Sequence, residues 1–226
     1  MDELFRISLF PILLTLGCYQ IGLLIQKKLK SAVCNPILIS VILILAFMAI
    51  TGMENGDYQA GTAKFSWLLT PATICLAIPM YQQLQVLKKH LPAIAVGVAA
   101  GAIACMGMVA VLALLFGFDR ALTMSLLPKS VTSAIGVPLC ELAGGIGSIT
   151  TAVIILTGIF ANITGRLLCR VFRIREPIAQ GVAFGTSGHV VGTAKASELS
   201  ELTGAVSSLS LVVAGLVTAV AFSFLA

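Results

Sequence analysis

Long apolar runs separated by short charged clusters make up almost the whole chain. Six runs are long enough to cross a bilayer as helices: Leu4–Ile25, Pro36–Gly52, Phe65–Leu84, Leu91–Phe116, Ile149–Val171 and Thr203–Leu225. Two further stretches, Ala121–Leu139 and Pro177–Ala196, are interrupted by Gly, Ser, Thr and Pro. Connections are short, and no soluble domain or low-complexity linker separates the runs. The pattern predicts an all-α polytopic membrane protein, with residues 1–226 forming one integral membrane domain of seven to eight membrane segments. Composition points the same way: 58% of residues are hydrophobic and 10% charged, with a mean hydropathy of +1.06. A water-soluble domain of 226 residues has no means of covering that much apolar surface.

The charges orient the chain. Basic residues cluster at Lys27, Lys28 and Lys30, at Lys88 and Lys89, and at Arg166, Arg170, Arg173 and Arg175. The positive-inside bias places these three loops in the cytoplasm and explains the net charge of +5 without a nucleic-acid partner. Acidic or mixed loops at Glu54 with Asp57, Asp119 with Arg120, and Glu198 with Glu201 then fall outside, as does the acidic N-terminus. If every run crossed once, the Arg166–Arg175 loop would land on the wrong side. A re-entrant or broken segment around Pro128–Pro138 resolves this and gives seven full crossings; eight ordinary helices are the alternative. Phe65–Leu84 and Pro177–Ala196 then enter from opposite sides, each interrupted, the pattern of an inverted repeat with substrate between its halves. The N-terminus lacks a basic region and a small-residue cleavage site, so no signal or transit peptide is expected and the first helix is retained.

Three polar groups fall at membrane depth, where they persist only against protein, water or a ligand. In the first, Pro71 and Pro79 disturb the helix and leave carbonyls available, with Thr70 and Thr73 supplying hydroxyls. Ordinary proline kinks with back-bonded threonines are the competing reading. In the second, Lys129 follows Pro128 and is flanked by Ser130, Thr132 and Ser133. A half-helix beginning near Pro128 would aim N–H groups and a full positive charge at a carboxylate; a lysine reaching back to the interface is the alternative. In the third, Gly181, Gly185, Gly188 and Gly192 share one helical face and favour close helix approach, as Gly97 and Gly101 do elsewhere. Thr186, His189 and Thr193 lie on the adjoining face, where His189 either carries a proton coupled to substrate movement or is a neutral, hydrogen-bonded packing residue.

Nothing in the chain marks an enzyme: there is no paired carboxylate within a span, no metal-ligand spacing and no nucleophile elbow or phosphate loop. No catalytic residue, metal or cofactor is expected. Cys18, Cys34, Cys75, Cys105, Cys140 and Cys169 are scattered and read as small packing residues. Glu141 reads as a cap for the loop before Gly144–Gly147.

Four blocks carry a family resemblance: Leu69-Thr-Pro-Ala-Thr with Leu76-Ala-Ile-Pro-Met-Tyr81; Ser125-Leu-Leu-Pro-Lys-Ser-Val-Thr132; Gly144-Gly-Ile-Gly-Ser-Ile-Thr150; and Gly185-Thr-Ser-Gly-His-Val-Val-Gly-Thr-Ala194. Together they resemble the LrgB/CidB family of bacterial membrane proteins over nearly the whole chain. Ser187 and Val190 depart from it, standing where alanine-like residues are common. The resemblance implies a bacterial inner-membrane protein that pairs with a small LrgA/CidA-like membrane protein. The bacterial family was named for control of murein hydrolases and autolysis, plant relatives are plastid glycolate/glycerate carriers, and some bacterial relatives are implicated in pyruvate movement.

Two functions follow as expectations. The first is a carrier for small monocarboxylates of the glycolate, glycerate or pyruvate class, proton-coupled through His189. The second is an oligomeric holin- or antiholin-like modulator of murein hydrolase activity, assembled through glycine faces such as Gly181–Gly192 or Gly97–Gly101.

Overall fold

The structure is a computed structural model and describes residues 9–29 and 35–224. The acidic N-terminus, Lys30 and Cys34 lie outside the described residues, as do the side chains of Thr70 and Thr73. Every regular element among the described residues is an α-helix: α1 (Phe10–Leu29), α2 (Pro36–Thr51), α3 (Asn55–Thr62), α4 (Phe65–Cys75), α5 (Ala77–Gln82), α6 (Leu84–Phe116), α7 (Arg120–Leu126), α8 (Ser133–Leu142), α9 (Gly147–Val171), α10 (Pro177–Leu199) and α11 (Glu201–Phe222). Four of these, α1, α6, α9 and α11, are long and apolar enough to cross a membrane; α2 and α8 are shorter apolar helices. Their outward surfaces are hydrocarbon-like: Leu114 of α6 is 83% exposed and Phe160 of α9 64% exposed. The buried side of α11, by contrast, is mostly small or hydroxylated, with Thr203, Gly204, Ala205, Ser207, Ser208, Ser210, Ala214, Gly215 and Thr218 outnumbering Val206, Leu211 and Phe222. Large apolar side chains outside and small or hydroxylated ones inside are what a lipid solvent selects, because helices there gain by close packing and hydrogen bonds. This is a polytopic membrane protein.

The chain forms two compact units, divided between Cys75 and Leu76. In the first, α1 and α2 run antiparallel, with Phe10 and Phe47 rings 5.8 Å apart and Gly22 against the Pro36 backbone. Asn35 starts α2 by accepting from the Ile37 and Leu38 amides, Pro36 fills the first helical position, and Gly52, in the left-handed region at φ 70°, ends the helix. Thr15 and Tyr58 share a hydroxyl–hydroxyl bond of 2.8 Å.

The second unit is built on three long helices, α6, α9 and α11. The α6 helix spans about 50 Å at 1.5 Å per residue. It starts at Leu84, so Lys88 and Lys89, expected in a loop before Leu91, are exposed on its opening turns. Lysine is a good helix former, and α6 continues through Pro92, two turns inside it, with the loss of one backbone bond. The expected single run Phe65–Leu84 is instead α4, α5 and the first residue of α6.

Between the long helices the chain reverses twice. At the first reversal, α7 and α8 are joined by 127–132. Cys140 Sγ reaches Ser125 Oγ at 3.8 Å, the Ile146 amide donates to the same oxygen at 2.7 Å, and a Cβ on Gly136 would stand 3.3 Å from the Pro128 carbonyl oxygen. The arms therefore lie side by side, closing where α9 begins. At the second, α10 is helical along its length except at His189, whose backbone sits at φ 41°, ψ −135°. A Cβ on Gly192 would stand 2.5 Å from the Phe184 carbonyl oxygen, whereas eight residues of straight helix would separate them by about 12 Å. Phe184 also packs with Ala196 and Cys169. So α10 is a helical hairpin with a one-residue corner, closing where α9 ends.

This corrects two expectations. Pro177–Ala196 is not a single pass, because it returns to the end at which it started. The Glu198–Glu201 loop, assigned to the face opposite the arginines, lies on their side, since Leu199 lines one cleft with Arg166, Arg170, Arg173 and Arg175. The opening turns of α6, with Lys88 and Lys89, reach the same end: Leu87 and Ile94 share a cluster with Ile178 and Leu202. At the other end of α6, Val109 packs with Leu127, Ala143 and Phe222.

A labelling experiment tests this arrangement. In a cysteine-free background, Arg175→Cys and Glu198→Cys should react with a membrane-impermeant maleimide from the same face, and Phe118→Cys and Leu142→Cys from the opposite one. Opposite-face labelling of positions 175 and 198 would restore the single-pass reading of α10.

Candidate functional site

The tip of the first hairpin meets the second about one turn before its corner. Pro128, Ser130 and Val131 from the first and Thr186 from the second line one small cavity, walled by Ala102, Cys105 and Met106 of α6 and Ala214 and Thr218 of α11. Its volume is about 10 Å³, room for about one water molecule and no organic acid. Gly101 admits Thr186 to this position, since a Cβ there would stand 3.0 Å from Thr186 Cγ2.

Lys129 is half-buried beside the cavity. Its Nζ donates to Cys105 Sγ at 3.0 Å and approaches Ser130 Oγ at 3.3 Å, while Cys105 Sγ and Ser130 Oγ are 3.0 Å apart. The ammonium is thus held by two groups that form the cavity wall. Cys105 was expected only to pack; its place one helical turn beyond Gly101 was the signal that it shares a face with the cavity. The half-helix expected from Pro128 starts instead at Ser133, with Thr132 at the cap position. Pro128, lacking an N–H, sits buried in the turn, and the Ile135 and Gly136 amides donate to the Thr132 carbonyl. Thr132 and Ser133 are half-buried and do not line the cavity.

His189 and Thr193 belong to other interfaces. His189 is 4% exposed, and its Nε2 donates to the Ile154 carbonyl at 2.8 Å, which fixes the proton on that nitrogen because a carbonyl only accepts. The ring lies over Gly158. This bond helps offset a positive-φ backbone that costs on the order of 1 kcal/mol or more. Thr193, fully buried, donates to the His189 carbonyl at 2.8 Å and lies 2.9 Å from Ser207 Oγ. The Asn162 side-chain amide donates to the Val191 carbonyl at 3.2 Å, past the corner. Ile154 touches both hairpins, through its carbonyl at His189 and its Cδ1 at Gly136.

Pro79 is half-buried in α5, whose neighbour Met80 packs on the α6–α11 core. Pro71 is exposed within α4 of the first unit. Glu141 lies against Gly147 at the start of α9. The glycine faces proposed for assembly are occupied within the chain: Gly181 meets Val206, Gly185 meets Ser207 and Ser210, Gly188 meets Ala161, and Gly97 and Gly101 meet Val182 and Thr186. They are packing surfaces of the hairpin, not free ones.

Comparison with known proteins adds to this geometry. The profile of the LrgB-like family matches residues 15–226. The chain belongs to the LrgB-like family. Among curated members, the antiholin-like protein LrgB of Bacillus subtilis (strain 168) is 37% identical over 210 residues, 92% of this chain and 91% of that protein. The proteins of the same name from Bacillus mycoides (strain KBAB4) and Bacillus cereus (strain B4264) are each 35% identical over 212 residues, 93% of this chain and 92% of each relative. No solved structure gives a significant match. Neither the family nor these relatives carry the name of an enzyme, and this LrgB-like chain is a multi-pass membrane protein with bacterial relatives.

The close packing of the second hairpin gives a stability test. Gly185→Ala would drive a Cβ into the Ser207 carbonyl, so we expect a loss of about 1–3 kcal/mol. Gly107→Ala, on an exposed face of α6 with nothing within 4 Å, should be neutral or stabilise by about 0.5–1 kcal/mol. Thermal unfolding of the purified protein in detergent reads both.

Proposed function

We propose that this protein is a carrier for small monocarboxylates in the bacterial inner membrane. One observation carries the reading: two helical hairpins, closing at opposite ends of α9, meet at one small, largely apolar cavity beside a half-buried lysine, with the Ser130 and Thr186 side chains in its wall. Re-entrant segments of opposite entry, meeting where long helices cross, suit an inverted-repeat transporter that holds its substrate near the bilayer midplane. The repeat would then pair 120–142 with 177–199, in place of the earlier match of Phe65–Leu84 with Pro177–Ala196. Lys129 supplies the charge a carboxylate needs, Ser130 a hydroxyl for a hydroxy or keto group, and Thr186, whose own proton goes to the Val182 carbonyl, an acceptor for a substrate hydroxyl. With room for about one water, the cavity suits an occluded state, and loading requires the hairpins to part. His189, bonded to Ile154, acts in this reading by holding the corner of α10, and proton coupling would require that bond to break.

The second reading, an antiholin-like modulator of murein hydrolase activity, is favoured by the names of the Bacillus relatives and bears on cellular role. A LrgA/CidA-like partner or a homo-oligomer belongs to it. The two readings are compatible if altered acid traffic reaches the cell wall indirectly.

Uptake of labelled glycolate and pyruvate into proteoliposomes separates them. A carrier should saturate, discriminate against uncharged solutes of the same size, and lose about tenfold or more of its uptake in Lys129→Ala, the equivalent of a lost charge-assisted bond. Non-saturating leakage of unrelated solutes, equal in wild type and variant, would leave only the modulator reading.

A further inference from the structure

The end of α9 carries a second polar feature that neither reading uses. Arg166, Arg170, Arg173 and Arg175 line a cleft of about 370 Å³ together with Cys169, Ile174, Gln180 and Leu199. Arg166 and Arg170 are spaced i and i+4, so one face of the closing turns of α9 is cationic, and Arg173 and Arg175 join them from the turn that follows. Arg173 holds a positive φ of 57° in the turn that ends the helix, where the Ile174 amide donates back to the Cys169 carbonyl at 2.7 Å. Glycine takes that backbone conformation without steric penalty; arginine there keeps a guanidinium in the cleft at a conformational cost. Gln180 Nε2 fixes the loop by donating to the Ile174 carbonyl at 2.8 Å.

Positive-inside bias accounts for arginines near the membrane boundary but not for their convergence on one cleft. Among the described residues none of the four is paired with a carboxylate. Glu176 is exposed on the same loop and Glu198 is held by Lys195. Beside the cleft, on the same last turns of α9, Leu167, Val171 and Phe172 are each more than half exposed. A cationic cleft at the end of a membrane-length helix, bordered by bare apolar side chains, fits a ligand with a phosphate head and hydrocarbon tails. A small monocarboxylate carries too little charge for four guanidiniums and has no use for the apolar border.

We propose that this cleft binds the headgroup of an anionic phospholipid, with the guanidiniums on phosphate oxygens and Leu167, Val171 and Phe172 against the acyl chains. A lipid with two phosphates, diphosphatidylglycerol, uses the cleft more fully than phosphatidylglycerol, and zwitterionic phosphatidylcholine least. The proposal does not depend on what the protein carries.

Native mass spectrometry of the full chain, titrated with each of the three lipids, tests it. Wild type should retain diphosphatidylglycerol about tenfold more strongly than phosphatidylcholine. The triple variant R166Q/R170Q/R175Q should reduce that preference to about twofold or less. Arg173→Gly keeps the backbone turn, so it should unfold at the wild-type temperature or above it and still weaken retention several-fold. Unchanged lipid preference in both variants would overturn the proposal. Displacement of the lipid by millimolar inorganic phosphate or glycerol 1-phosphate would overturn it too, assigning the cleft to a free anion.

Discussion

A chain that turns back on itself inside an apolar medium must satisfy its own polar groups, and the second unit is organised around that requirement. Where water is excluded, an unpaired N–H or hydroxyl costs several kcal/mol. Here hydroxyls on the hairpins and α11 bond back to the preceding turn: Thr186 to Val182, Ser187 to Ala183, Thr193 to His189, Ser197 to Thr193 and Ser210 to Val206. Among the described residues, no buried side-chain nitrogen or oxygen lacks a partner. The small side chains that make this possible also let α10 lie against α11 with Gly185 on the Ser207 carbonyl. Polar satisfaction and close packing are one solution, obtained with the same residues.

The same requirement separates structural polar groups from available ones. His189 and Thr193 are committed to holding the corner and the α10–α11 contact. Lys129, Ser130 and Cys105 bond to one another around a cavity, and side chains can exchange such bonds for those of a ligand more readily than the backbone can. That difference in commitment is why the transport reading centres on the first hairpin, with the second contributing Thr186.

Much of this was legible in the sequence. Spans read from hydropathy agree with α2, α9 and α11 to within a few residues, because a long apolar run has few other fates. The reversal at Pro128–Pro138 follows from charge: it puts the four arginines at and just beyond the end of α9 on the cytoplasmic side, where eight ordinary helices, the alternative, would not. The reversal at His189 was missed. The Gly, Ser and Thr content marks Pro177–Ala196 as interrupted but not as reversed, because the glycine stripe from Gly181 to Gly192 reads as one continuous helix face until tertiary packing folds that face onto itself. The same ambiguity made Gly97 and Gly101 look like an assembly surface, since spacing shows that a helix can be approached closely but not by which neighbour. Cys105 was overlooked because a thiol within an apolar run looks like packing until a lysine reaches it.

The corner at His189 has a mechanical meaning. A reversal made by a single residue has no slack, so its two arms behave as one wedge and cannot slide past each other. Ile154 grips that wedge through a backbone carbonyl while its side chain seats the opposite hairpin. A displacement of either hairpin therefore bears on its counterpart through a shared fulcrum on α9.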